Sequence, residues 1–176
     1  MENELAKKCL MEKELTGFAD YLFRYGLHDT EAQNVTVTEK GLCFYFPAGV
    51  YNRNEAGMET EKTAPCEMTV EIADFNPCLL WQHIEVIACR KSTHREIDFR
   101  ILADRINGVR DARGRKLKKK RAKTPKSAPR GMEICTSYFS SGRGIVLDAG
   151  VGAVGILLKI TEVVRITYSF IDGQKN

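Results

Sequence analysis

Residues 156–171, ILLKITEVVRITYSFI, constrain this chain more than any other stretch. Leu158, Ile160, Val164, Ile166, Tyr168 and Phe170 share one parity, so an extended backbone puts all six on one face. The β-branched and aromatic side chains suit a pleated surface and lose rotamer freedom in a helix. An apolar sheet face must be covered by a second layer, so the rest of the chain has to supply more strands.

It does. Residues 35–38 and 42–46 alternate on either side of Glu39-Lys40-Gly41 and read as a β-hairpin. Further strands are predicted at 67–73, at 81–89 after the Asn76-Pro77 break, and at 96–106. In 96–106, Ile97, Phe99, Ile101 and Ala103 occupy one face, and Asp98, Arg100 and Asp104 the other. Residues 132–139 alternate again, 140–144 read as a turn, and 145–148 as a short strand. Only residues 4–25 carry a helical period: Met11, Leu15, Phe18, Leu22 and Tyr25 form a single stripe, and Gly26 follows as a stop. That stripe suits the protein's own core or a partner subunit. Residues 47–65, with three glutamates and no apolar period, read as a long polar loop. The expected fold is mainly β (α+β), in one domain over residues 1–176. One N-terminal amphipathic helix packs on a mostly antiparallel sheet, sandwich or partly closed barrel of about eight strands.

Charge is distributed very unevenly. Between Arg110 and Arg130 stand eleven Lys or Arg and one acid, Asp111, a net +10, whereas the whole chain carries +4 and everything outside the tract sums to −6. The tract holds one leucine and two prolines, Pro125 and Pro129, so it cannot bury apolar surface or sustain a regular helix by itself. Residues 109–131 are therefore expected to be a basic arm or loop inserted between strands. As an extended hairpin it would reach on the order of 35 Å. Arg110, Arg113, Arg115, Lys116, Lys118, Lys119, Lys120, Arg121, Lys123, Lys126 and Arg130 are the candidate nucleic-acid contacts. Such a density of cations displaces condensed counterions from a phosphate backbone. No aromatic residue lies in the tract, so base stacking is not its role and contact should be independent of sequence. Docking on acidic neighbouring subunits, a nuclear address in 116–123, and a solvated loop are the competing readings.

Other chemistry is scarce. Six widely spaced cysteines without a CxxC, and an N-terminus without an unbroken apolar run, predict free thiols in an intracellular protein or in a particle assembled there. No apolar stretch is long enough to span a bilayer as a helix, so no membrane partner is expected. Cys78, His83, Cys89 and His94 have a zinc-like spacing. If 81–89 is one strand, however, His83 and Cys89 lie about 20 Å apart, too far to share an ion. Glu85, Glu96, Asp98 and Asp104 offer carboxylates, and His94 an imidazole, for a metal-dependent nuclease, yet charged residues are ordinary on a solvent-facing strand. Ser140 and Ser141 lack convincing His/Asp partners.

Gly150, Gly152 and Gly155 satisfy GxGxxG after an apolar strand, and Asp172 follows 22 residues beyond Gly150. The stretch IVLDAGVGAVGILL resembles the glycine-rich first motif of Rossmann-like methyltransferases. That resemblance implies a nucleotide- or S-adenosylmethionine-binding enzyme fragment, with Asp172 as the ribose-binding acid and residues 153–164 as a helix. The residues themselves read differently: 153–164 is rich in Ile and Val at strand alternation, so a glycine-rich turn between antiparallel strands is expected.

The sequence thus points to a non-enzymatic, nucleic-acid-associated structural component of a ribonucleoprotein or virus-like particle, binding phosphates of DNA or RNA through the arm. The alternative is an adaptor or connector subunit whose arm docks on acidic neighbours. No catalytic residue, cofactor or metal is assigned.

Overall fold

The computed structural model describes residues 24–108, 131–140 and 143–171. The helix expected at 4–25 lies outside them except at its end, where Tyr25 begins a strand; the arm expected at 109–131 lies outside them except for Gly131.

Among the described residues, thirteen strands and the α-helix over Phe99–Ile106 follow in chain order. They are β1 (Tyr25–Gly26), β2 (Thr30–Ala32), β3 (Asn34–Val37), β4 (Gly41–Phe46), β5 (Tyr51–Arg53), β6 (Glu59–Lys62) and β7 (Cys66–Ile72). Then come β8 (Ile84–Arg90), β9 (Thr93–Glu96), α1 (Phe99–Ile106), β10 (Met132–Ser140), β11 (Gly144–Val151), β12 (Val154–Ile160) and β13 (Val163–Phe170). All pairings are antiparallel. The strands form a six-stranded sheet (β2-β10-β11-β12-β8-β9), a four-stranded sheet (β13-β7-β4-β3) and a small sheet (β1-β5-β6).

The two large sheets make a sandwich because each hides alternate residues. Ile145, Leu147 and Ala149 of β11 and Ile156, Leu158 and Ile160 of β12 share one core with Leu42, Phe44 and Phe46 of β4 and Met68, Val70 and Ile72 of β7. Two short links tie the layers. Between β2 and β3 the chain crosses from one sheet to the other at Gln33, whose N–H donates to the Tyr45 carbonyl at 2.9 Å. Between β12 and β13 it crosses through Thr161 and Glu162, the latter at φ 55°. The small sheet closes one end, with the Tyr25 ring centroid 4.5 Å from that of Tyr168 and 5.6 Å from that of Phe170.

The hairpin at 35–46 and the strands at 67–73, 132–139 and 145–148 are present. Four expectations are corrected. Residues 96–106 are not a strand: after Glu96 the chain turns into α1, with Asp98 as N-cap accepting from the Arg100 N–H at 2.7 Å. Phe99, Leu102 and Ile106 are the residues α1 buries, a three-and-four spacing hidden beneath the two-residue alternation. The 81–89 strand begins later, at Ile84, because Trp81 sits in a 3-10 turn over Leu80–Gln82. Residues 156–171 are two strands in different sheets, and a bulge after Val163 turns Val164 out to solvent. Residues 47–65 are no unstructured loop but hold the β5–β6 hairpin, tied by Arg53–Glu59 at 3.4 Å and by Lys62 lying 4.9 Å above the Tyr51 ring. The described strands exceed the eight expected because β1, β2, β5, β6 and most of β9 are short strands where none was expected, and residues 156–171 divide into two.

Candidate functional site

The eleven cations from Arg110 to Arg130 lie outside the described residues, but the chain on either side of the tract, up to Gly108 and from Gly131, is described. On the N-terminal side α1 ends at Asn107, whose side chain holds the edge strand β3. The Val35 N–H donates to Asn107 Oδ1 at 2.9 Å, and Asn107 Nδ2 donates to the Val35 carbonyl at 2.8 Å. On the C-terminal side Gly131 leads into β10, which pairs with β2 through Met132 opposite Ala32. The two contact points, Val35 on β3 and Ala32 on β2, are three residues apart across the Gln33 crossing between the sheets, about 10 Å of extended chain. The described residues that flank the 109–130 segment thus contact the body at neighbouring points.

The surface at the second contact point is acidic. Glu31 and Glu133 stand directly opposite each other on β2 and β10, both exposed, and a Cβ on Gly131 would run into the Glu31 carboxylate. At the adjacent bulge, the Cys135 thiol is pushed up by desolvation and then by the negative charges of Asp148, Glu133 and Asp29. Acids from β2, β10, β11 and the turn before β2 therefore converge near the start of β10, which Gly131 precedes. Sequence spacing gave no sign of this, because Asp29, Glu31, Glu133 and Asp148 come together only through strand pairing.

The glycine motif takes a different form from a cofactor loop. β11 and β12 pair antiparallel, Gly150 opposite Gly155 and Val151 opposite Val154, with Gly152 and Ala153 as a two-residue turn. Gly152 has φ 61°, which suits glycine as first central residue of a tight hairpin turn. Residues 153–164 contain no helix, so no helix N-terminus faces the glycines and the arrangement implied by the methyltransferase resemblance is not formed. Asp172 lies outside the described residues.

Nor do the other candidate sets converge. Cys89 faces His94 across the β8–β9 hairpin, but Cys78 and His83 precede the opposite end of β8. Glu85 approaches Lys159 at 3.8 Å, Asp98 caps α1 and Asp104 lies within it. Among the described residues no three His, Cys, Asp or Glu side chains are grouped to hold a metal ion. Ser140 ends β10, and Ser141 is outside the described residues. Among the described residues no helix is long and apolar enough to cross a membrane.

One surface feature escaped the sequence reading. Trp81 is 73% exposed and stands beside a cleft of about 330 Å³ lined by Cys78, Leu80, Ile84, Ile97, Phe99 and Arg100, with Glu96 and Asp98 also on its wall. Strand alternation had placed Trp81 in a sheet. No family model, curated protein or solved structure matches this chain.

Proposed function

We propose that the protein is a non-enzymatic structural component of a larger assembly that contacts nucleic-acid phosphates through residues 110–130, without sequence preference. The observation that carries this reading is the +10 tract in a chain whose remainder sums to −6. Such a tract attracts polyanions by counterion release, and an acidic remainder confines that attraction to one segment. The flanks support the same reading, since Asn107 on one side and Met132 on the other are held by the neighbouring strands β3 and β2 of the sandwich. The assembly belongs to the cell interior or to a particle assembled there.

Filter binding to unrelated DNA and RNA at two salt concentrations tests it. Binding to both should be strong at low salt and fall steeply as salt rises. Replacing Lys116, Lys118, Lys119, Lys120, Arg121 and Lys123 with glutamine should weaken binding uniformly across sequences and flatten the salt slope. No binding at low salt, or binding indifferent to salt, would overturn the proposal.

The Glu31–Glu133 pair favours a second reading, in which the tract of one subunit docks on an acidic surface of its neighbour. Deleting 111–129 separates the two: loss of self-assembly in nuclease-treated protein supports the adaptor, whereas loss of nucleic-acid binding with assembly intact supports the first reading.

A further inference from the structure

The loop before β8 carries the single tryptophan of the chain on a rigid support. Asn76 organises the loop: its Oδ1 accepts from the Cys78 N–H at 2.9 Å, and its carbonyl accepts from the Leu79 N–H at 2.9 Å. The Arg100 guanidinium, from the first turn of α1, donates to the Pro77 carbonyl at 2.8 Å and clamps the loop from the other side. Leu80 is buried beneath, so the turn is pinned while Trp81 and Leu79 face outward. An indole this exposed, on a turn this well held, stands ready for contact without a large ordering cost.

We propose that this cleft seats a lysine- or arginine-bearing segment of a partner protein. Its floor is apolar, from Leu80, Ile84, Ile97 and Phe99, and matches the methylene stem of a long cationic side chain. The indole face attracts a cation, and Trp is the strongest aromatic for that purpose. Glu96 has no hydrogen-bond or ion-pair partner among the described residues, and Asp98 uses one carboxylate oxygen on the Arg100 N–H. Among the described residues Arg100 is the one Lys or Arg that lines the cleft, and its guanidinium donates to the Pro77 carbonyl. That balance repels a phosphate backbone and selects a cationic peptide over a stacked nucleobase. The inference stands apart from the nucleic-acid reading of the basic tract.

Trp81 reports on its own site, because no other residue emits as tryptophan. The full-length chain is titrated with a dye-labelled, capped hexapeptide of alternating lysine and leucine, and with its glutamine analogue. Tryptophan emission and peptide anisotropy are followed together. The lysine peptide should shift and quench the emission, and the glutamine analogue should not. Glu96→Gln combined with Asp98→Asn, which keeps an N-cap, should weaken binding about tenfold, and Trp81→Ala between about threefold and tenfold by anisotropy. Several outcomes overturn the proposal: equal binding of both peptides, an unaltered affinity in the carboxamide variant, or quenching by a single-stranded oligonucleotide but not by the peptide. Emission already shifted in the free monomer would mean that the chain fills the cleft itself, and the proposal fails.

Discussion

Asn107 and Val35 bond to each other twice, side chain to backbone, at 2.9 and 2.8 Å. The carboxamide reproduces, for one residue, the pairing that a further strand would give β3. It thereby satisfies both outward groups of a buried residue on a sheet edge. The same contact fixes the end of α1, two residues before the chain passes into the segment that holds the basic tract.

Asn107→Ala should therefore cost about 2 kcal/mol, because it strands a buried N–H and a buried carbonyl together. Asn107→Asp keeps the acceptor and loses the donor, so it should fall between alanine and wild type. Urea denaturation followed by circular dichroism measures both. A loss below ~0.5 kcal/mol for the alanine variant would show that water replaces the contact at no net cost.

Glu31 and Glu133 face each other across β2 and β10, and like charges directly opposite destabilise a strand pair. Glu133→Gln should raise stability by about 0.5 kcal/mol at low salt, with the gain shrinking as salt is added. If a basic segment neutralises the pair in the assembled state, the same change should weaken assembly while it stabilises the isolated chain. Denaturation at two ionic strengths, paired with light scattering, separates these effects.

The glycines of the GxGxxG motif are expected to be unequal. A Cβ on Gly150 meets nothing closer than 4.0 Å, and one on Gly155 meets the Cys89 side chain at 3.5 Å, so alanine at either should change stability by less than ~1 kcal/mol. Gly152→Ala should cost about 1 kcal/mol because of its φ of 61°. Gly41→Ala should be far worse, since the new methyl group would collide with the Val70 carbonyl. A cofactor loop would show the opposite ranking in a ligand-binding measurement, with Gly150 and Gly152 the most sensitive.

Cys66 should be the least reactive described thiol. Burial pushes it up to about 11 from 9.0, against the opposing hydrogen bonds of Thr63 and the Val50 backbone. The folded chain then keeps its proton where the unfolded chain releases it. The stability from this group is complete below about pH 9 and declines as pH rises toward 11. Cys66→Ala should flatten that alkaline decline. In native labelling at neutral pH, exposed Cys78 should react well before Cys66, while desolvation of the Cys135 thiol and the acids around it should slow Cys135.

The sequence by itself determined the class of the fold. Alternation in 35–38, 42–46 and 67–73, with Leu158, Ile160, Val164, Ile166, Tyr168 and Phe170 on one parity, leaves sheet faces apolar, and two such faces have little choice but to cover each other. It also determined the β11–β12 hairpin, because Ile and Val at strand spacing disfavour a helix after Gly150, Gly152 and Gly155. The charge partition behind the proposed function is likewise a property of the chain alone.

Tertiary structure decided whatever rests on contacts distant in sequence. Residues 97–106 fit a strand by parity and a helix by the spacing of Phe99, Leu102 and Ile106; burial of those three, with the Asp98 cap and the Asn107–Val35 bonds, selected the helix. Where residues 156–171 break was decided by Glu162 at positive φ and by the Ala73 and Arg143 backbones that hold the crossing. The acidic surface beside Gly131 and the cleft beside Trp81 belong to the same category. Each joins residues far apart in the chain, and a local hydrophobic period carries no information about which distant strands will become neighbours.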